Sequence, residues 1–117
     1  MNLIIGMHRS GTSLASRLLY RAGGDFGDPA GFYPANDWNP DGYFEQREML
    51  RLNRKLLHGA WGKLAYFHLP SVASVRRRGR QLGPELSEAA ARYRGRIVKD
   101  PRFCVTAPAW LDHGAEF

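Results

Sequence analysis

The fold of this chain is decided near its start, by the stretch LIIGMHRSGTS at residues 3–13. A short apolar run at residues 3–5 ends at Gly6, which is typical of a buried parallel strand. A glycine loop follows, and residues 12–22 then repeat apolar side chains at helical spacing before two consecutive glycines. Strand, glycine loop and helix in this order predict an anion site, because loop N–H groups and the positive end of the helix converge there.

Outward from this unit, the pattern predicts an α/β fold with helices flanking a parallel sheet. Further helices are predicted at residues 43–58, 84–94 and 104–111, a second strand at residues 97–99, and irregular segments at residues 24–42 and 59–84. Two strands make a narrow sheet that cannot cover every helix, so we expect one apolar face to stay exposed to solvent. We interpret residues 1–117 as the N-terminal part of a single, incomplete domain.

Composition narrows the class of protein. Apolar residues make up 44% of the chain and charged residues 24%, which is ordinary for a soluble globular domain, and no apolar run is long enough to span a membrane. The single cysteine, Cys104, favours a reducing, cytoplasmic setting. The net charge of +6 predicts an anionic ligand. Four arginines at residues 76–80 supply most of that excess, which argues against a nucleic-acid partner.

The glycine loop differs from the phosphate loop of nucleoside triphosphatases at one decisive position. The motif G-x4-G-K-[ST] requires a lysine where this chain has Thr12, and the cation here is Arg9, inside the loop. A P-loop kinase that uses ATP and Mg²⁺ needs that lysine on the phosphates, so it is the alternative rather than the first hypothesis.

Three motifs together resemble the sulfotransferases that use 3′-phosphoadenosine 5′-phosphosulfate (PAPS), in particular the bacterial type. Residues 7–13 are similar to the family's 5′-phosphosulfate loop, residues 39–45 (NPDGYFE) to its Gly-Tyr-x-Glu segment, and residues 99–102 (KDPR) to its Lys-Asp-Pro segment. The resemblance implies a P-loop NTPase-like fold and metal-free transfer of a sulfuryl group to an acceptor hydroxyl or amine. The acceptor class stays open among carbohydrates, lipids, peptides and metabolites.

The resemblance also assigns residues to the donor. The loop side chains and backbone implied to bind PAPS are His8, Arg9, Ser10, Gly11, Thr12 and Ser13. The family's ligands for the 3′-phosphate, an arginine after a following strand and a serine in the next helix, would come after residue 117.

Sulfuryl transfer builds negative charge on the oxygen that leaves sulfur, and a cation aimed there accelerates the reaction. Arg9 and Lys99 are the candidates, and Lys99 ends a predicted strand at the rim where α/β sheets bind ligands. Glu45 is the first candidate for the base that takes the acceptor proton. A carboxylate at a helix start is also common for dipolar reasons. Asp41, which can initiate that helix, and His8 remain alternatives for the base.

Several side chains keep two interpretations. Arg102 either binds the donor or an anionic acceptor, or pairs with Asp100 or Glu116. The arginines at residues 76–80 form either a solvated loop or a site for a polyanionic acceptor. Three loop aromatics form either an acceptor wall or part of the loop's own core: Tyr33, Trp38 and Tyr43. A non-catalytic anion-binding fragment is the remaining functional hypothesis.

Overall fold

A computed structural model describes residues 1–6, 10–58 and 69–117. The strands are β1 (Asn2–Ile4) and β2 (Ile97–Lys99), the helices are α1 (Thr12–Arg21), α2 (Arg47–His58), α3 (Val72–Gln81), α4 (Gly83–Arg92) and α5 (Phe103–Leu111), and a 3-10 turn covers Pro29–Gly31. The predicted α/β class is confirmed. The element boundaries agree within about two residues except in two segments, described below.

The two strands pair in parallel, as predicted. Leu3 lies opposite Val98 and Ile4 lies opposite Lys99. Strand β1 begins and ends one residue earlier than the apolar run at residues 3–5 suggested. Because parallel strands end at the same edge of a sheet, the glycine loop after β1 and the end of β2 meet there. This edge is where the candidate site is built.

The hydrophobic core lies between helices α2 to α5 and strand β2. Its largest fully buried side chains include Trp110, Phe103, Met49, Leu52 and Leu56. Helix α5 continues through Pro108, which the sequence had placed inside a short helix. On α2, the side chains at 49, 52, 53 and 56 recur at helical spacing and are all buried. This core therefore holds α2 and β2 in fixed positions relative to one another.

Helix α1 keeps its apolar face open. Leu14, Leu18 and Leu19 are 53%, 59% and 44% exposed, and Ile5 at the end of β1 is 49% exposed. The buried residue of α1 is Ser16, whose hydroxyl donates to the Thr12 carbonyl. An open apolar face is what a two-stranded sheet was expected to leave. In the described ranges, no helix is long and apolar enough to cross a bilayer.

The first departure from the sequence prediction is the start of α2. The helix begins at Arg47, whereas the pattern placed its start at residue 43. Residues 43–46 are held out of helical geometry because the Tyr33 N–H donates to the Glu45 carbonyl at 2.7 Å and Phe32 bridges Gln46 in antiparallel fashion. Tertiary hydrogen bonds thus override the local helical pattern here.

The second departure is α3, which lies in the segment predicted to be irregular. Ser71 caps this helix by accepting the Ser74 N–H, and the arginines that follow have good helix propensity. Gly79 is a poor helix former, but here it allows close packing, since a Cβ there would lie 2.9 Å from the Ala109 Cβ of α5. Part of the predicted irregular segment, residues 59–68, lies outside the described residues.

Candidate active site

The turn before α1 is built from small residues packed against each other. A Cβ added to Gly6 would lie 2.6 Å from the Ser10 Oγ and 2.7 Å from the Thr12 Cγ2. Gly11, the N-cap of α1, has a φ of 84°, a left-handed conformation that costs glycine little. Both glycines are therefore required by the geometry of the turn. Residues 7–9, with the candidate side chains His8 and Arg9, lie outside the described residues.

The start of α1 has the features of an anion site. The first N–H groups of a helix have no partner within the helix, and the helix dipole places partial positive charge on them. The first turn of α1 carries no acidic residue, and its Thr12 and Ser13 hydroxyls add further donors. Gly11 keeps the approach to these groups free of side-chain atoms, because nothing lies within 4 Å of its Cβ position. Donor binding by Ser10, Gly11, Thr12 and Ser13 stays a prediction.

The centre of the site is a buried ion pair between the two residues that the sequence proposed for chemistry. The Lys99 Nζ lies 2.5 Å from the Glu45 Oε1, and the two side chains are 3% and 9% exposed. The same Nζ donates to the Ser13 Oγ at 3.4 Å. The nitrogen also lies 5.9 Å from the centre of the Tyr43 ring. Lys99 therefore joins the predicted base to the first turn of α1.

Glu45 is positioned by the residue before it. Phe44 has a φ of 57°, which is uncommon for a non-glycine residue and is found where surrounding structure holds the backbone in place. Its ring packs in an aromatic cluster with Tyr20, Phe26 and Phe32, at centroid separations of 5.6 to 6.1 Å. The cluster anchors Phe44 on one side, while Glu45 reaches Lys99 on the other.

Lys99 and its neighbours are held by a buried hydrogen-bond network centred on Asn53. The Asn53 Nδ2 donates to the Asp100 Oδ2 at 3.0 Å, and its Oδ1 accepts from the Thr106 Oγ1 and the Trp110 Nε1, each at 2.8 Å. Asp100 is fully buried and also accepts from the Arg102 backbone N–H and guanidinium, both at 2.9 Å. Of the interpretations offered for Arg102, pairing with Asp100 is therefore observed.

Asn53 was not among the residues for which the sequence predicted a role. The available signal was an amide among leucines on an apolar stripe, because buried polar side chains must find partners. Its partners lie 47 to 57 residues away in the sequence, so local spacing did not identify them.

Asn53→Leu is expected to lower the free energy of unfolding by about 1–3 kcal/mol, because the buried Trp110 N–H loses its acceptor and the buried Asp100 carboxylate loses a donor. Leu keeps the branching at Cγ and is not smaller than Asn, so the substitution creates no cavity. Urea denaturation measures the effect, with Asn2→Leu as the control, because exposed Asn2 makes a side-chain hydrogen bond only at the surface, to the Gly95 carbonyl. Equal stabilities for Asn53→Leu and the parent would contradict the network's importance.

A cavity of about 490 Å³ opens beside the ion pair. Its lining includes Gly11, Thr12, Ser13, Glu45, Lys99, Arg54, Arg102, and the aromatics Tyr33, Trp38 and Tyr43. The side chains at 33, 38 and 43 line the cavity, whereas the loop's own core is the cluster around Phe44. That the three lining aromatics form an acceptor wall stays a prediction.

Asp41, one of the two alternatives for the base, does not line the cavity. Asp41 is exposed, forms an ion pair with Arg17, and lies six residues before α2, so the prediction that it initiates that helix is wrong. The arginine cluster is also not a loop. In α3, Arg76 pairs with Asp112 at 3.1 Å, and Arg78 donates to the Leu56 and Leu57 carbonyls at the end of α2.

Within residues 1–6, 10–58 and 69–117, no group of three or more His, Cys, Asp or Glu side chains is arranged to hold a metal ion. Comparison with protein-family models, curated proteins and solved structures gave no significant match for this chain. The functional argument is therefore made from the geometry of the site and from the three sequence motifs.

Proposed function

We propose that this protein is a sulfotransferase with a P-loop NTPase-like fold, which transfers a sulfuryl group from PAPS to an acceptor hydroxyl. One observation carries the proposal. Lys99 joins the Glu45 carboxylate, at 2.5 Å, to Ser13 in the first turn of α1, at 3.4 Å, beside the cavity. A base, a cation and an anion-binding turn are the three parts that sulfuryl transfer requires.

The donor is a substrate whose anionic phosphosulfate fits the start of α1. The helix N-terminus supplies N–H donors and positive charge, Thr12 and Ser13 supply hydroxyls, and Gly11 leaves the backbone accessible. The cavity of about 490 Å³ is within the range of small-molecule sites. These features support donor binding at the end of the sheet where β2 places Lys99.

In the proposed reaction, the Glu45 carboxylate accepts the proton of the acceptor hydroxyl. A new bond forms between the acceptor oxygen and sulfur, and the bond between sulfur and the phosphate oxygen breaks. Adenosine 3′,5′-bisphosphate leaves with the electron pair of that bond, and the Lys99 ammonium stabilises the charge that grows on its oxygen. General-base catalysis of this kind contributes about 10²–10⁴-fold to rate.

The ion pair couples these two roles. Before the reaction, Lys99 is held by the Glu45 carboxylate. When Glu45 takes the proton it becomes neutral, and its attraction for Lys99 falls. The ammonium is then available to the leaving oxygen at the stage when negative charge develops there. Proton transfer to the base thus strengthens the cation's interaction with the leaving group, which is differential stabilisation of the transition state.

Calorimetry with adenosine 3′,5′-bisphosphate tests the donor site on the whole chain. Binding is expected to persist in EDTA, and Ser13→Ala is expected to weaken it about two- to tenfold, the value of one hydrogen bond. Ser87→Ala is the matched control, because this hydroxyl donates to the His113 carbonyl away from the cavity. A second assay follows transfer of radiolabelled sulfate from PAPS in EDTA. Binding of ATP only with Mg²⁺, without bisphosphate binding, would favour the kinase alternative instead.

A further inference from the structure

Among the residues that the structure describes, three cations line the cavity, and two of them are already paired. Lys99 pairs with Glu45, and Arg102 donates to the buried carboxylate of Asp100 at 2.9 Å. Arg54, the third, is exposed, and no ion pair is formed by it within the described ranges. Its guanidinium therefore adds positive charge to the cavity that no described carboxylate offsets.

Arg54 differs from other cations of α2 in the partners of its side chain. Arg51 and Lys55 both bind the Glu85 carboxylate, at 3.0 and 3.1 Å, and Arg47 donates to the Ala30 carbonyl. None of these three lines the cavity, whereas Arg54 does. These three side chains therefore form ion pairs or a backbone hydrogen bond elsewhere, whereas Arg54 lines the cavity.

Positive charge surrounds His58, which lies about one turn after Arg54 on α2. Burial lowers the pKa of His58 below its ordinary value of 6.5, and the charges of Arg102, Arg54 and Arg78 lower it further. Three guanidinium groups thus act on the same imidazole. Asp100, the nearby carboxylate, is fully buried and already accepts hydrogen bonds from Asn53 and from Arg102.

We propose that Arg54 binds an oxyanion group of the acceptor, so that the acceptor is a hydroxyl compound that also carries a carboxylate, sulfate or phosphate. This inference rests on the proposed function and names its substrate class. The position of Arg54 assigns it to the acceptor side. It lies seven residues after Arg47, the first residue of α2, which is about 10 Å along the helix. The donor features belong to a different helix, α1, which contacts Lys99 through the Ser13 hydroxyl.

The aromatic wall suits a ring-shaped acceptor. The rings of Tyr33 and Tyr43 pack edge to face at 5.5 Å between centroids, and Trp38 is 85% exposed beside them. Aromatic faces bury the apolar surface of a ring and leave its polar groups free. A hydroxyl directed at Glu45 and an oxyanion directed at Arg54 would then hold the acceptor at two points.

NMR titration of the His58 imidazole tests the oxyanion site without donor or turnover, so its outcome is independent of whether sulfuryl transfer occurs. Two matched pairs of probes are used: methyl glucuronide against methyl glucoside, and 4-hydroxybenzoate against 4-hydroxybenzamide. The anionic member of at least one pair is expected to raise the pKa of His58, because its charge offsets the neighbouring guanidinium groups. Arg54→Gln should abolish the response. Arg51→Gln, one turn earlier and engaged with Glu85, should retain it.

Kinetics on the whole chain provide the second measurement. Arg54→Gln is expected to lower kcat/KM for an anionic acceptor about 10- to 100-fold, the value of a charged hydrogen bond. The kcat/KM for the matched neutral acceptor should not change. Affinity for adenosine 3′,5′-bisphosphate should not change. The proposal is overturned if the anionic and neutral probes act alike on His58, if Arg54→Gln responds as the parent does, or if Arg54→Gln loses bisphosphate affinity, which would assign Arg54 to the donor.

Discussion

Glu45→Gln is expected to lower kcat for sulfuryl transfer by about 10²–10⁴-fold, the contribution of a general base. Gln preserves the shape of the side chain but cannot accept the proton. Affinity for adenosine 3′,5′-bisphosphate is expected to hold or to rise, because Lys99 loses the carboxylate that lies 2.5 Å from it and becomes available to an anion. Steady-state kinetics and calorimetry on the whole chain measure the two effects.

Glu48→Gln is the matched control for this variant. It removes a carboxylate from the first turn of α2, where Glu48 pairs with Arg92 and does not line the cavity. Its kcat should stay close to that of the parent. A near-normal kcat in Glu45→Gln would instead move the base to His8 or Asp41, and His8→Gln in parallel would distinguish those two.

Lys99→Met is expected to abolish most transfer activity and to lower the free energy of unfolding by about 3–5 kcal/mol, because it leaves the Glu45 carboxylate buried without its partner. The activity loss should be about 10²–10³-fold, as for removal of a group that stabilises charge in the transition state. Urea denaturation and PAPS-dependent transfer measure the two consequences separately.

A double-mutant cycle isolates the ion pair. Glu45→Gln combined with Lys99→Met removes both charges, so its stability cost should be well below the sum of the single costs. Lys55→Met is the control, because Lys55 and Glu85 are each 42% exposed and such surface pairs contribute about 0–1 kcal/mol. If Lys99→Met costs no more stability than Lys55→Met, the buried pair does not hold the site together.

The same geometry changes what the sequence alone suggested for Glu45. A carboxylate in the first turn of a helix would contribute only about 0.3–1 kcal/mol through the dipole. Glu45 instead precedes α2 by two residues and is bonded to Lys99. Loss of stability in Glu45→Gln is therefore expected alongside loss of activity, and the cycle is needed to separate the two.

Much of the fold could be predicted from local pattern. Residues 97–99 form a strand, the loop at residues 24–42 is largely irregular, and the apolar stripe of α2 is buried as its spacing indicated. Part of the site could be predicted too. Lys99 was recognised because it ends a predicted strand, and Ser13 because it lies in a strand–loop–helix unit. These features depend on residues within a few positions of each other, whose periodicity and turn chemistry carry the information.

The sequence by itself therefore determined the α/β class, the turn before α1 and the residue types of the candidate site. Only the tertiary structure decided which of the candidate residues come into contact. Lys99 reaches Glu45 across 54 residues, and Asn53 reaches Asp100 across 47. The non-helical backbone at residues 43–46 and the helix at Val72–Gln81 were likewise set by tertiary contacts, the first with residues 32–33 and the second with α5. Such contacts depend on how separate elements are brought together around a shared core, which local spacing does not specify.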